Sequence, residues 1–61
     1  MQMPTLQRQV QMIDHVIEHL MIVNGFSVSR SQATLELIAE EWDVIDAIQN
    51  LQHYFSIQAN K

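Results

Sequence analysis

Only two residues in this chain break a helix strongly, Pro4 and Gly25, and the stretch between them is periodic. Leu6, Val10, Ile13, Ile17 and Leu20 recur every three or four positions, which places these side chains along one helical face. Pro4 or Thr5 suits the first turn, where a missing N–H costs nothing. Asn24 and Gly25 both accept the left-handed conformation that closes a helix. The first element is therefore read as one long helix from Leu6 to Asn24.

A new start follows at once. Ser29-Arg30-Ser31-Gln32 has the spacing of a capping box, with the serine hydroxyl and the glutamine side chain each satisfying the other's backbone N–H. The helix it opens carries Ala33, Leu35, Leu37 and Ile38. Those residues spread over a wide arc, as expected of a helix wedged between two others. Asp43 is a candidate N-cap for a third helix, in which Val44, Ala47, Ile48, Leu51 and Phe55 repeat at helical spacing. No segment alternates for long enough to make a strand. The expectation is an all-α domain over residues 5–57, three helices joined by short turns, with residues 58–61 as a frayed tail.

Size and charge narrow the function. With 61 residues, the chain is too short for a dinucleotide-binding fold with a second lobe, a barrel enzyme or a kinase. It has 0 Cys, so neither a disulfide staple nor a thiolate zinc knuckle is available. Seven Asp+Glu against three Lys+Arg give a net charge of -4. Arg8, Arg30 and Lys61 lie far apart in the sequence, and phosphate neutralisation requires clustered cations, so nucleic acid is not an expected partner. The longest apolar run, Leu20 to Val23, is far shorter than the roughly 20 residues that cross a bilayer. The opening Met1-Gln-Met-Pro-Thr lacks the basic and apolar regions of a signal peptide. No membrane association is expected, and the location expected is intracellular, cytoplasmic or nuclear.

From Gly25 onward the residues resemble a known family. Gly25-Phe26, Val28-Ser29-Arg30, Ala33, Leu37, Asp43-Val44, Ala47-Ile48 and Leu51 follow the pattern of a ubiquitin-associated (UBA) domain. Within that group, Val-Ser-Arg-x-x-Ala followed by Asp-Val-x-x-Ala-Ile-x-x-Leu is similar to the UBA-like domain of the nascent-polypeptide-associated complex. Trp42-x-Val44-x-x-Ala47 is similar to the C-terminal UBA domains of activated-Cdc42-associated tyrosine kinases. The resemblance covers roughly Leu20 to Leu51. It implies a compact UBA-like three-helix bundle with an extended first helix. It further implies a non-catalytic interaction module whose leading ligand is ubiquitin, bound by Asn24, Gly25 and Phe26 together with Leu51 and Gln52.

Other residues carry competing readings. His15-Val16-Ile17-Glu18-His19 spells the inverted zinc-peptidase motif, and histidines at i and i+4 can share one zinc ion. A catalytic site needs a third ligand and a water-excluding cleft, and both histidines fall away from the apolar stripe, so a solvated helix face is the default reading. No catalytic residue, metal site or cofactor is expected. Glu40, Glu41, Asp43 and Asp46 surround the second turn, and the two aspartates suit a helix N-terminus. Ser29 and Ser31 read as caps. Trp42 is read as closing the core at the same junction. Met12, Ile22 and Val23 lie outside the first helix's stripe, and Tyr54, Phe55 and Ile57 extend beyond the family's usual end. This surplus of apolar surface supports an alternative, an oligomerisation or docking module that pairs with another copy or a partner helix without binding ubiquitin. The polar outward positions Gln49, Asn50, Gln52 and His53 favour that alternative; the Gly-Phe loop favours ubiquitin.

Overall fold

A computed structural model describes residues 3–59 of the chain. Its elements are helix α1 (Leu6–His19), a widened turn (Leu20–Asn24) that continues it, helix α2 (Arg30–Ala39) and helix α3 (Val44–Ala59). The fold is an all-α three-helix bundle with no strand among the described residues. None of its helices is long and apolar enough to cross a membrane.

Side-chain chemistry accounts for each start. Thr5 caps α1, its hydroxyl accepting from the Arg8 N–H at 3.2 Å. Ser29 and Gln32 form the capping box of α2, with the Gln32 N–H donating to Ser29 Oγ at 3.1 Å and the Ser29 N–H donating to Gln32 Oε1 at 3.2 Å. Asp43 Oδ1 accepts from the Asp46 N–H at 3.0 Å and opens α3. Helix α3 stays regular through Ala59, so Gln58 and Ala59, expected in a frayed tail, belong to the helix. The rest of that tail lies outside the described residues.

The core is small and wholly apolar. Ile13, Val16 and Leu20 from the first helical segment meet Ala33 and Leu37 of α2 and Ala47, Ile48 and Leu51 of α3, with Val28 sealing the connection. The buried face of α1 thus differs from the expected stripe. Val16 is central to it, Ile17 is only partly buried, and Val10 and Leu6 are exposed, Leu6 at 79%. Helix length explains the difference. At about 1.5 Å per residue, a ten-residue α2 reaches about 15 Å, well short of α1 and its continuation. The first turns of α1 therefore project beyond α2, and the molecule measures 38 × 19 × 17 Å along its principal axes. Helix α2 departs from expectation for a related reason. Only Ala33 and Leu37 are buried, while Leu35 and Ile38 face outward, so α2 leans on one side of the bundle and is not wedged within it.

The turn between α2 and α3 is tight and unusual. Glu41 and Trp42 both take positive φ, 56° and 64°, a region that L-residues other than Asn and Asp seldom occupy. Hydrogen bonds from the Trp42 N–H to the Leu37 carbonyl at 2.7 Å and from the Asp43 N–H to the Glu40 carbonyl at 3.0 Å hold the reversal. Trp42 packs against the core while remaining partly open to solvent.

Candidate functional site

The connection after α1 is shaped by one glycine. Gly25 has φ 70° and ψ 21°, and its N–H donates to the Met21 carbonyl at 2.9 Å. The Phe26 N–H reaches back to the Leu20 carbonyl at 3.1 Å. The Gly25 N–H also faces the Leu20 carbonyl five residues back, and this spacing together with the Phe26 bond widens the last turn beyond the usual α pattern. Glycine at this position closes the helix without a steric penalty.

Two contacts then fix the loop against α3. Gln52 Nε2 donates to Asn24 Oδ1 at 3.0 Å. The Phe26 ring lies 5.7 Å from that of Phe55, tilted by 33°, and Phe55 meets Tyr54 edge-on at 5.1 Å. Aromatic pairs at such separations add about 0.5–1.5 kcal/mol beyond simple burial. Asn24, Gly25, Phe26 and Gln52 are thus brought together. Leu51 is not part of that surface: at 4% exposure it belongs to the core, because its position on α3 points at α1 and α2. Its spacing with Val44, Ala47, Ile48 and Phe55 already sets it on the apolar stripe of α3; only the family resemblance implies a place for it at the loop.

The remaining apolar candidates separate by position. Ile22, at 74% exposure, and Val23 stand open on the widened turn next to the loop, joined by Met21. Tyr54 and Ile57 are exposed along the far half of α3. Phe55 is partly buried beneath Phe26. Met12 packs partly on the core and lines a shallow groove with Arg8, Gln11, His15 and Val44. Leu6 and Val10, expected on the inner stripe of α1, are exposed on its projecting turns, as is Met3 just before the helix; none of the three belongs to the expected docking set.

His15 and His19 share a face of α1, their rings 6.1 Å apart and tilted by 38°. With Val44, Ile45, Ile48, Gln49 and Gln52 they line a groove between α1 and α3. His19 is partly buried there, not solvated as the stripe implied, because the core face is rotated toward Val16. Among the described residues, no three His, Asp or Glu side chains converge as metal ligands. The acidic residues are deployed mainly in local structure. Asp43 caps α3, and Glu36 and Glu40 both accept from the side-chain amide of Asn50.

Comparison with protein-family models, with curated proteins and with solved structures gives no match to this chain.

Proposed function

We propose that this chain is a non-catalytic protein-interaction module that binds ubiquitin weakly, through the Asn24-Gly25-Phe26 loop and the adjoining part of α3. The observation that carries the proposal is the double anchoring of the loop, by Gln52 on Asn24 and by Phe55 under Phe26. A loop held in this way presents its backbone and the neighbouring Met21, Ile22 and Val23 in a fixed arrangement, so little ordering is required on binding. Resemblance to the UBA family supplies the identity of the ligand. A patch this small implies affinities of about tens to hundreds of micromolar.

The alternative is a docking or oligomerisation module without ubiquitin binding. It is favoured by the exposure of Ile22, Val23, Tyr54 and Ile57, together with Leu6 and Val10 on the projecting turns, apolar side chains that a second chain would cover.

Amide chemical shifts of the labelled domain, followed during titration with unlabelled monoubiquitin at two domain concentrations, separate the two readings. Saturable shifts centred on Asn24, Gly25, Phe26 and Gln52 are expected. Silence of those amides at millimolar ubiquitin would overturn the ubiquitin reading. Shifts along α1 that follow the domain's own concentration would establish self-association instead.

A further inference from the structure

Helix α1 carries two of the chain's three histidines, His15 and His19, four residues apart. Positions i and i+4 lie one above the other on a helix, and the two rings stand 6.1 Å apart, tilted by 38°. His15 is exposed and His19 is partly buried. Both line a groove of about 290 Å3 between α1 and α3, with Ile48, Gln49 and Gln52 across from them. Neither ring makes a hydrogen bond or an ion pair among the described residues. Two imidazoles are thus held side by side with their nitrogens uncommitted.

The spacing of the rings is close to that of a chelate. With about 2.0–2.1 Å between zinc and each nitrogen, a tetrahedral ion sets two imidazole ring centres about 5 Å apart. Rotation about the side-chain bonds of the exposed His15 closes the remaining gap, about 1 Å, without moving the backbone. The helix holds both anchors beforehand, so the second nitrogen is delivered at little further cost in entropy. Imidazole suits zinc, copper and nickel ions, whereas magnesium and calcium take oxygen ligands. The chain's net charge of -4 favours a cation. Glu18 lies between the histidines in the sequence, but no third His, Asp or Glu among the described residues converges with them. A catalytic zinc centre needs that third ligand and a closed cleft; a simple chelate needs neither.

We propose that His15 and His19 together hold one divalent ion of the imidazole-binding class, zinc foremost, with water in its other positions. The ion clamps the last turn of α1, where His19 runs directly into the widened turn that leads to Gly25. Its ligands come from α1 alone. Gln52 is a neighbour across the groove and not a ligand, so the site does not depend on ubiquitin binding.

The test titrates zinc into the full isotopically labelled chain, with magnesium as the control, and follows the histidine ring nuclei by NMR. Saturable shifts of the His15 and His19 rings at one zinc per chain are expected. His53 should stay unmoved, since this exposed histidine on α3 has no other histidine one turn away. Magnesium should move none of the three. His15→Gln, at an exposed position, should weaken zinc at least about tenfold by removing the second, intramolecular ligand, with the spectrum still dispersed. His19→Gln should match it, and His53→Gln should leave the affinity unchanged. At zinc about tenfold above Kd, Tm should rise by about 5–10 °C, and His15→Gln should lose that rise. An equal response at His53, or undiminished affinity in His15→Gln, would overturn the proposal. So would silence of both rings at millimolar zinc, or saturation at one zinc per two chains, which would place the ion between copies.

Discussion

Glu41 and Gly25 occupy the same left-handed backbone region, φ 56° and 70°, with opposite suitability. A side chain at such a position costs about 1–2 kcal/mol through the clash of Cβ with the following carbonyl. Replacing Glu41 with glycine removes that cost but adds about 0.4–1 kcal/mol of chain entropy to the unfolded state. The exposed Glu41 side chain makes no hydrogen bond or ion pair that would be lost with it. Glu41→Gly should therefore stabilise the domain by about 0.5–1 kcal/mol, raising Tm by about 2–8 °C for a domain of this size. Gly25→Ala is the mirror experiment. A Cβ on Gly25 would meet nothing within 4 Å, so the penalty is torsional alone, and a loss of about 0.5–1 kcal/mol is expected. The control is Glu41→Ala, which keeps a Cβ and should leave stability unchanged within about 0.5 kcal/mol. Urea unfolding followed by circular dichroism measures all three. If Glu41→Gly proved no more stable than Glu41→Ala, the strain assigned to this turn would be refuted. Trp42 is a less clean probe, because its ring packs on the core and its removal would mix strain relief with lost burial.

Other substitutions test the remaining parts of the argument. Leu37→Ala removes a fully buried side chain from the meeting point of the three helices; a cost of about 2–5 kcal/mol should leave so small a domain largely unfolded, visible as collapse of amide dispersion. Ser29→Ala deletes the capping box and should cost about 1 kcal/mol in urea unfolding. Gln52→Ala releases Asn24; stability should fall by about 0.5–1.5 kcal/mol, and the Gly25 and Phe26 amides should shift even without ligand. Arg30→Ala breaks the pair with Asp14, both partners being 59% exposed, and should change stability by less than about 1 kcal/mol, less again in high salt.

Local signals were the most legible in the sequence. Ser29 with Gln32, and Asp43, act as the caps their side chains suggest, because capping is settled within four residues and needs nothing from the rest of the chain. Gly25 closes the first helical segment in the left-handed conformation for the same reason. The buried face of α1 was less legible. Its aliphatic spacing runs unbroken from Leu6 to Leu20, yet burial begins only near Ile13. Periodicity reports which residues share a face. Whether a neighbour is long enough to cover that face depends on the other helices and their placement.

The candidate site divides along the same line. Gly25-Phe26 is a local signal, and the loop lies where the motif suggests. Its attachment to α3 joins residues 28 positions apart, and neither Asn24 nor Gln52 carries any mark in the sequence that it will find the other. Leu51 sits in the core, as its helical spacing predicts and as the family resemblance does not. Its neighbours on α3, Gln52 and Phe55, turn toward the loop, whereas Asn50 turns toward the carboxylates of α2. One helix thus presents different chemistry on two sides within six residues, Asn50 to Phe55. The outer face of α2 follows the same logic: an apolar arc that a wedged helix would have buried is open at Leu35 and Ile38, since no further element among the described residues packs over it.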